Sequence, residues 1–183
     1  AGTERAVRDR IGFLFGIPDD QLLFPNVLDD VSFSLERMQV DRSEARQRAR
    51  GMLERLGVGA YADCSPHQLS QGQRQRVALA GALAAHPSLL LLDEPSSALD
   101  HRGKDELAAL LKMTDSAIIL ATHDLVFAQR VCRRFILLDA GRIVADSENP
   151  ETLINPPPEP LPADMPAPGF ASCIAKRKSP HQR

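Results

Sequence analysis

The feature that most constrains the fold is a run of four leucines, Leu89 to Leu92, that ends in the acidic pair Asp93 and Glu94. A short, unbroken apolar run predicts a strand buried on both faces, the kind found in parallel sheets. Downstream, helical and strand-like patterns alternate: we expect a helix over 102–111, a strand over 117–121, a helix over 124–131, a strand over 135–138 and a hairpin over 142–145. This alternation predicts an α/β fold with a parallel sheet core.

Upstream of the leucine run the pattern is mainly helical. Apolar residues recur at helical spacing after Asp41, and Asp41 with Glu44 has the pattern of a capping box. A second helix is expected to begin at Ser70, and a strand is expected over 11–15. These patterns predict an α-helical subdomain over about 17–86, set against the sheet.

Composition excludes several classes of protein. With 43% hydrophobic and 25% charged residues, the 183-residue chain is ordinary for one globular domain, and a net charge of -2 gives no general attraction to nucleic acid. The three cysteines lack the spacing of a zinc site or a disulfide scaffold, which fits a reducing cytoplasm. The longest apolar run, Val77 to Ala85, falls well short of the roughly 20 residues of a membrane span. Any membrane contact is therefore expected to go through a partner.

Asp93 and Glu94 are candidate catalytic residues because of where the strand delivers them. Ligands of open α/β sheets bind at the carboxyl ends of the strands, and both carboxylates directly follow the leucine run. There, Asp93 can hold Mg²⁺ through water, and Glu94 can polarise a water that attacks a γ-phosphate. The alternative is a strand that ends in two acids capping a turn, and the pair alone does not decide between the two.

A second candidate site begins at Leu69, in the sequence Leu-Ser-Gln-Gly-Gln. It places a hydroxyl, Ser70, and a glycine, Gly72, at a predicted helix start, where free N–H groups and the positive end of the helix dipole receive anions. The alternative is an ordinary capped helix, since serine is a common N-cap residue. A phosphate-binding loop of the form G-x-x-x-x-G-K-[ST] is absent from these residues, because the Gly-Lys pair, Gly103-Lys104, is followed by an aspartate.

Four motifs, taken in their order along the chain, resemble those of ABC-type ATPases. The signature is Leu69 to Gln73, and the Walker B strand is Leu89 to Pro95. The D-loop is Ser97 to Asp100, and the H-loop is Thr122 to Asp124. The resemblance runs from about Arg10 to Leu153 and implies an ATPase domain over 1–153. The implied fold is an incomplete P-loop NTPase, and the implied ligands are ATP and Mg²⁺.

The resemblance also implies roles for individual residues. In such ATPases two domains dimerise head to tail, and the signature of one closes over ATP bound by the other. Ser70, Gly72 and Gln73 would then contact the γ-phosphate of the partner's ATP, with Gln71 in the place of the family's usual second glycine. In the chain's own site, Asp93 would bind Mg²⁺ and Glu94 would be the general base. His123 would sense the γ-phosphate, and Asp100 would lie at the dimer interface. Outside this motif, His123 would be interpreted simply as a polar residue that ends a strand.

Two stretches are similar to the ATPase subunits of energy-coupling-factor and cobalt-type importers: Pro18 to Leu22 and Ala78 to Ala84. This similarity implies a second ATPase subunit, a transmembrane coupling protein and a membrane protein that captures a vitamin or metal ion. The implied location is the cytoplasmic face of the membrane, and no nucleic-acid partner is implied. Two features depart from the family: Gly16 stands where the Q-loop glutamine is expected, and the P-loop is missing.

Three interpretations stay open. The first is an importer ATPase that lacks its first third, inactive alone because it has no P-loop. The second is a non-hydrolysing partner that supplies its signature to another ATPase; Gly16 favours it, whereas the retained Glu94 and His123 oppose it. The third, a soluble ABC ATPase of DNA repair or translation, is disfavoured because no long coiled coil fits between Gly16 and Ser70.

The two ends of the chain differ from its centre. Ala1 is not an initiator methionine, and the first apolar run, Ile11 to Phe15, looks like an interior strand, so we expect a fragment. After residue 153, closely spaced prolines block both helix and ladder hydrogen bonding. This composition predicts a disordered tail over 154–183 with a basic tip.

Overall fold

The computed structural model describes residues 2–150 and 172–176. The helices in these ranges are α1 (Gly2–Arg8), α2 (Val27–Arg37), α3 (Arg42–Arg55), α4 (Gln71–Ala84), α5 (His101–Met113) and α6 (Leu125–Val131). The strands are β1 (Ile11–Leu14), β2 (Leu89–Asp93), β3 (Ala117–Thr122), β4 (Phe135–Asp139), β5 (Arg142–Ser147) and β6 (Ser172–Lys176). None of the helices in this part of the chain has the length and apolarity needed to cross a membrane.

The strands form one mixed sheet with the order β1-β2-β3-β6-β4-β5. β1, β2 and β3 are parallel, with Leu89 beside both Ile11 and Ala117. β5 turns back from β4 as the predicted antiparallel hairpin. The expected parallel core is therefore present from β1 to β3, and the sheet becomes mixed beyond it.

β6 lies between β3 and β4 and pairs antiparallel with both. The connection from β3 through α6 to β4 leaves one strand position between the two strands, and residues 172–176 fill that position. The sequence does not predict this strand, because it lies in the tail expected to be disordered. The rest of that tail lies outside the described residues.

The leucine run forms β2 as predicted. Leu90 and Leu92 are fully buried, whereas Leu89 and Leu91 on the other face are half-buried. Successive side chains of a strand point to opposite faces of the sheet, so this alternation reports how well each face is covered. The prediction of burial on both faces is therefore right for one face and only partly right for the other.

Helices α2, α3 and α4 pack together in the region predicted to be helical. α4 is the central element, because it contacts α2, α3 and β1 and buries most of its sides. Its backbone touches that of β1 at Gly12, where a Cβ would lie 2.3 Å from the carbonyl oxygen of Ala82. Gly12 therefore allows the helical part and the sheet to approach closely.

The start of α3 follows the sequence prediction in part. The Asp41 carboxylate accepts hydrogen bonds from the N–H groups of Ser43 (2.9 Å) and Glu44 (3.4 Å), so Asp41 is the N-cap residue. Glu44 does not complete a capping box, because its side chain pairs with Arg48 one turn later. The oppositely charged partner at i+4 replaces the predicted bond to the cap backbone.

Candidate functional site

The carboxyl end of β2 presents the two predicted acids. Asp93 ends the strand and is exposed, and Glu94 follows with a left-handed backbone at φ 45°. That conformation is uncommon for a residue with a side chain. Here it is held by two hydrogen bonds: the Glu94 N–H donates to the Ala121 carbonyl, and the Glu94 carbonyl accepts from the Ser97 hydroxyl, both at 2.9 Å. A strained backbone fixed by its surroundings is typical of functional sites.

The Glu94 carboxylate is held by groups at the end of β3. Its Oε2 accepts a hydrogen bond from the Thr122 hydroxyl at 3.0 Å. Its Oε1 accepts one from the His123 N–H at 3.0 Å and lies 2.7 Å from His123 Nδ1. The Glu94 side chain is 29% exposed and that of His123 is 69% exposed. The two residues predicted to be catalytic are therefore in direct contact, and both are accessible to a ligand.

Asp93 lies beside Gly16, the residue at the Q-loop position. A Cβ on residue 16 would come 3.1 Å from Asp93 Oδ2, which is a tight contact. Among the described residues, no group of three or more His, Cys, Asp or Glu could hold a metal ion by itself. An exposed carboxylate still suits Mg²⁺, which commonly takes one or two protein carboxylates together with water and substrate phosphates. Asp93 therefore fits a Mg²⁺ ion that binds together with a nucleotide.

Gln21 does not take the place of the expected Q-loop glutamine. Its Oε1 accepts from the Phe15 N–H at 3.2 Å, and its Nε2 donates to the carbonyls of Phe13 (3.1 Å) and Ala78 (3.2 Å). The amide thus ties the segment after β1 to α4, through backbone partners.

The signature residues begin α4 and line a cleft. Ser70 is the N-cap residue: its hydroxyl accepts from the Gln73 N–H at 3.3 Å, and Gln73 Oε1 accepts from the Ser70 N–H at 2.8 Å. Gly72 lies against the D-loop, where a Cβ would be 2.9 Å from the carbonyl oxygen of Ala98. The cleft has a volume of about 560 Å³, and its walls also include Gln71 and Asp100. The structure therefore brings together the signature and D-loop residues that the sequence predicted.

The signature cleft and the acidic strand end are separate surfaces. The walls of the cleft do not include Asp93, Glu94 or His123. A long hydrogen bond, 3.5 Å, connects Nε2 of the buried Gln75 on α4 to the Glu94 carbonyl. A single chain thus presents two distinct sets of predicted site residues, joined through the interior.

The sequence does not predict the contacts behind Glu94. The Asp124 N–H donates to the Thr122 hydroxyl oxygen at 3.0 Å, and the Asp124 carboxylate accepts from the Phe127 N–H at 2.9 Å and from Lys104 Nζ at 2.7 Å. Partial burial alone would raise the pKa of Asp124, but the hydrogen bonds from Lys104 and Phe127 lower it below its ordinary value. Thr122 had a sequence signal, as a hydroxyl directly before the candidate histidine. The contact with Lys104 had none, because 20 residues separate it from Asp124.

A group of exposed apolar side chains, the aromatic patch, lies on and after β1 and on α2. Its members are Phe13, Phe15, Ile17, Leu23 and Phe33. The rings of Phe13 and Phe15 are 4.6 Å apart. A groove of about 480 Å³ runs beside them between β1, α2 and α4. Phe13, Phe15 and Phe33 line this groove, and exposed apolar surface of this kind is typical of interaction sites.

Comparison with known proteins identifies relatives of this chain. A family model described as ABC transporter matches residues 3–97. A putative ABC transporter ATP-binding protein of Streptomyces avermitilis is 40% identical over 147 residues, which cover 80% of this chain and 56% of that protein. The energy-coupling factor transporter ATP-binding protein EcfA of Carboxydothermus hydrogenoformans is 36% identical over 147 residues, covering 79% of this chain and 54% of that protein. The chain spans about half the length of the curated relatives it matches.

Solved structures share the fold. The cbiO1 protein of Clostridium perfringens, described as part of the ABC transporter complex cbiONQ, matches with a TM-score of 0.68 and 36% identity, covering 81% of this chain and 61% of that one. The ATP-binding cassette MJ0796, a dimer bound to ADP and Pi, matches with a TM-score of 0.70 and 30% identity, covering 80% and 66%. The predicted α/β fold of the P-loop NTPase class is confirmed. By its motifs, its fold and these relatives, the chain belongs to the family of ABC transporter ATP-binding proteins.

Proposed function

We propose that this chain is part of the ATP-binding subunit of an ABC-type importer, in which ATP hydrolysis drives transport. The observation that carries the proposal is the Glu94 carboxylate, fixed at the end of β2 by Thr122 and His123 and accessible to a ligand. A positioned carboxylate of this kind can act as a general base.

The geometry supports a role for each residue at this edge of the sheet. The γ-phosphate of ATP would lie in front of Glu94 and His123, and Glu94 would take a proton from the attacking water. His123, exposed and in contact with Glu94, would contact the γ-phosphate. Asp93 would hold Mg²⁺, which supplies charge neutralisation when it is bound. In this proposal a phosphate loop outside these 183 residues holds the rest of the nucleotide.

The signature is proposed to act on the nucleotide of a second ATPase subunit. The Ser70 hydroxyl and the first N–H groups of α4 combine donors with the positive end of a 14-residue helix. Asp100, in the same cleft, is proposed to lie at the interface between the two subunits. The similar cassette MJ0796 is dimeric, which supports a two-subunit arrangement.

Replacement of Ser70 by Ala tests the signature. In the ATPase pair assembled from the complete gene product, we expect Ser70→Ala to lower ATP turnover at least about tenfold, because a donor to the transferred phosphate is lost. The substitution also removes an N-cap worth about 1 kcal/mol of stability. Asp41→Ala is the matched control, since it removes the N-cap of α3, away from the cleft. Equal turnover losses in the two variants would refute a role for the signature beyond helix stability.

Gly16 supports a second candidate function, a non-hydrolysing partner that supplies its signature to another ATPase. No side chain extends from residue 16 toward a Mg²⁺ ion at Asp93, and Gln21 is bound elsewhere. The two candidates differ in one measurement on the assembled pair. If the chain is a non-hydrolysing partner, Ser70→Ala lowers ATP turnover whereas Glu94→Gln leaves it unchanged. If the chain is a hydrolysing subunit, both substitutions lower ATP turnover.

The aromatic patch is the proposed docking surface for the transmembrane coupling protein. The similar cbiO1 is described as part of a transporter complex, and an exposed apolar surface suits a partner segment that is itself apolar. We expect the double change Phe13→Ser and Phe33→Ser to weaken co-purification with that protein at least about tenfold, because buried aromatic anchors dominate interface energies. ATP turnover of the detergent-free ATPase pair should stay unchanged.

Ile143 and Val144 provide the control for the docking experiment. Both are exposed apolar residues on β5, at the opposite edge of the sheet from β1. Serine at these two positions should leave co-purification intact. If this control pair weakens the complex as much as the Phe13 and Phe33 pair does, the patch is not the docking surface.

The solute class follows from relatives alone and is part of the proposal. Similarity to an energy-coupling factor ATPase and to cbiO1 supports import of a vitamin or a metal ion such as cobalt or nickel, with the ATPase at the cytoplasmic face of the membrane. Uptake assays on the assembled transporter with labelled metal ions and with vitamins decide between the two solute classes.

A further inference from the structure

Lys104 on α5 forms an ion pair with Asp124, the residue that follows His123. Its Nζ lies 2.7 Å from Asp124 Oδ2, and the two side chains are 31% and 19% exposed. Asp124 uses its other oxygen to cap α6, by accepting from the Phe127 N–H. The segment after β3 is therefore anchored to two helices at once.

A continuous set of hydrogen bonds leads from this pair to Glu94. The Asp124 N–H donates to Thr122 Oγ1, and the Thr122 hydroxyl donates to Glu94 Oε2, both at 3.0 Å. Because an N–H group can only donate, the hydroxyl oxygen must accept from Asp124, and its single proton is left for Glu94. Thr122 is 1% exposed, so water does not compete for that proton. The position of Asp124 thus sets the direction of the bond that Glu94 accepts.

Helix α5, which carries Lys104, begins at the D-loop. Asp100 is the N-cap residue of α5, and its carbonyl accepts from the Lys104 N–H at 2.9 Å, so the two residues lie one turn apart. In the proposed function Asp100 lies at the interface with a second ATPase. Lys104 therefore stands between that interface and the segment that orients Glu94.

We propose that Lys104 is a positioning residue for Glu94: it holds Asp124 so that the Thr122 hydroxyl fixes the carboxylate, and it connects the D-loop helix to that carboxylate. This inference rests on the proposed function, in which Glu94 is the general base. Lys104 itself does not touch the nucleotide. Its effect is on the orientation of the base, so it should change the rate of the chemical step and not the binding of ATP.

The first test is steady-state kinetics of the assembled ATPase pair carrying Lys104→Met. We expect kcat to fall about tenfold with KM for ATP unchanged, in line with the usual cost of losing an outer residue that orients a reacting group. Lys104→Arg, which keeps the charge, should restore most of kcat. A rise in KM with kcat unchanged would overturn the proposal, and so would a Lys104→Arg variant whose kcat is as low as that of Lys104→Met.

Arg130→Met is the matched control. Arg130 on α6 pairs with Asp105 on α5, so it also joins these two helices, but it makes no contact with the bonds that lead to Glu94. If Lys104 only holds α5 against α6, both variants should lose kcat and thermal stability together. The proposal requires that Arg130→Met keep kcat within about twofold of wild type when the two variants have similar melting temperatures.

A double-mutant cycle tests the path itself. Thr122→Val keeps the shape of the side chain and removes the hydroxyl between Asp124 and Glu94. If Lys104 acts through Thr122, the Lys104→Met effect on kcat should nearly vanish in the Thr122→Val background, whereas Arg130→Met should add independently. Fully multiplicative effects of Lys104→Met and Thr122→Val would overturn the proposal. Absence of ATP hydrolysis in the wild-type pair would instead refute the proposed function, and with it this inference.

Discussion

Replacing Glu94 by Gln is expected to abolish ATP turnover of the assembled pair while leaving ATP-dependent association intact. The amide cannot accept the proton of the attacking water, and loss of a general base costs about 10²–10⁴ in rate. The measurements are phosphate release and, separately, light scattering of the pair with and without ATP.

The fold should tolerate this substitution because the local bonds can rearrange. The amide oxygen can keep the hydrogen bond from the His123 N–H, and the amide nitrogen can donate to the second lone pair of Thr122 Oγ1. Because the buried Thr122 hydroxyl then loses the acceptor for its proton, we expect a folded protein with a slightly lower melting temperature. Hydrolysis at the wild-type rate in a folded Glu94→Gln pair would exclude Glu94 as the base and favour the non-hydrolysing alternative.

Of the substitutions proposed for this protein, Gly12→Ala is expected to lower the free energy of unfolding most. An added Cβ would lie 2.3 Å from the Ala82 carbonyl oxygen, 2.8 Å from Leu90 Cδ2 and 2.9 Å from Pro87 Cγ. The nearest obstacle is backbone of α4, so the clash is relieved only if α4 or β1 moves. We expect a loss of about 3 kcal/mol or more in the free energy of unfolding, measured by urea denaturation, at the upper end of what overpacking costs.

Gly81→Ala and Gly51→Ala are the controls for this experiment. Gly81 precedes the obstructing residue on α4, and Gly51 lies inside α3; a Cβ at either position meets nothing within 4 Å. Alanine should stabilise each helix by about 0.5–1 kcal/mol, since glycine is the poorer helix former. If Gly12→Ala is as stable as these variants, β1 does not pack against α4 as the structure shows.

Much of the fold could be predicted because its signals are local. Asp41 and Ser70 cap the helices that follow them, and the run from Leu89 forms a strand, since caps and short apolar runs act on neighbours in the chain. The prediction was less accurate where a residue had a choice of partner. Glu44 pairs with Arg48 instead of the cap, and Leu91 is only half-buried because the cover of each sheet face depends on distant helices.

In the candidate site, too, the sequence predicted the residues that belong to local motifs and missed the contacts that depend on packing. Sequence motifs named Asp93, Glu94, His123, Ser70, Gln71, Gly72, Gln73 and Asp100, and the structure groups these residues into one strand end and one cleft. Their catalytic and binding roles stay predictions. The contacts of Thr122 with Glu94 and of Lys104 with Asp124 were not predicted, because they depend on the register of β2 with β3 and on the packing of α5.

By itself, then, the sequence determined helices α3 to α6, the parallel strands β1 to β3 and the identity of the acids, since these depend on residue type and spacing along the chain. Only the tertiary structure decided the order of the sheet, including β6 between β3 and β4, and the contacts behind Glu94. The physical reason is that both the position of β6 in the sheet and the ion pair between Lys104 and Asp124 depend on which elements pack together. Local sequence patterns act only between neighbours in the chain and do not specify such long-range contacts.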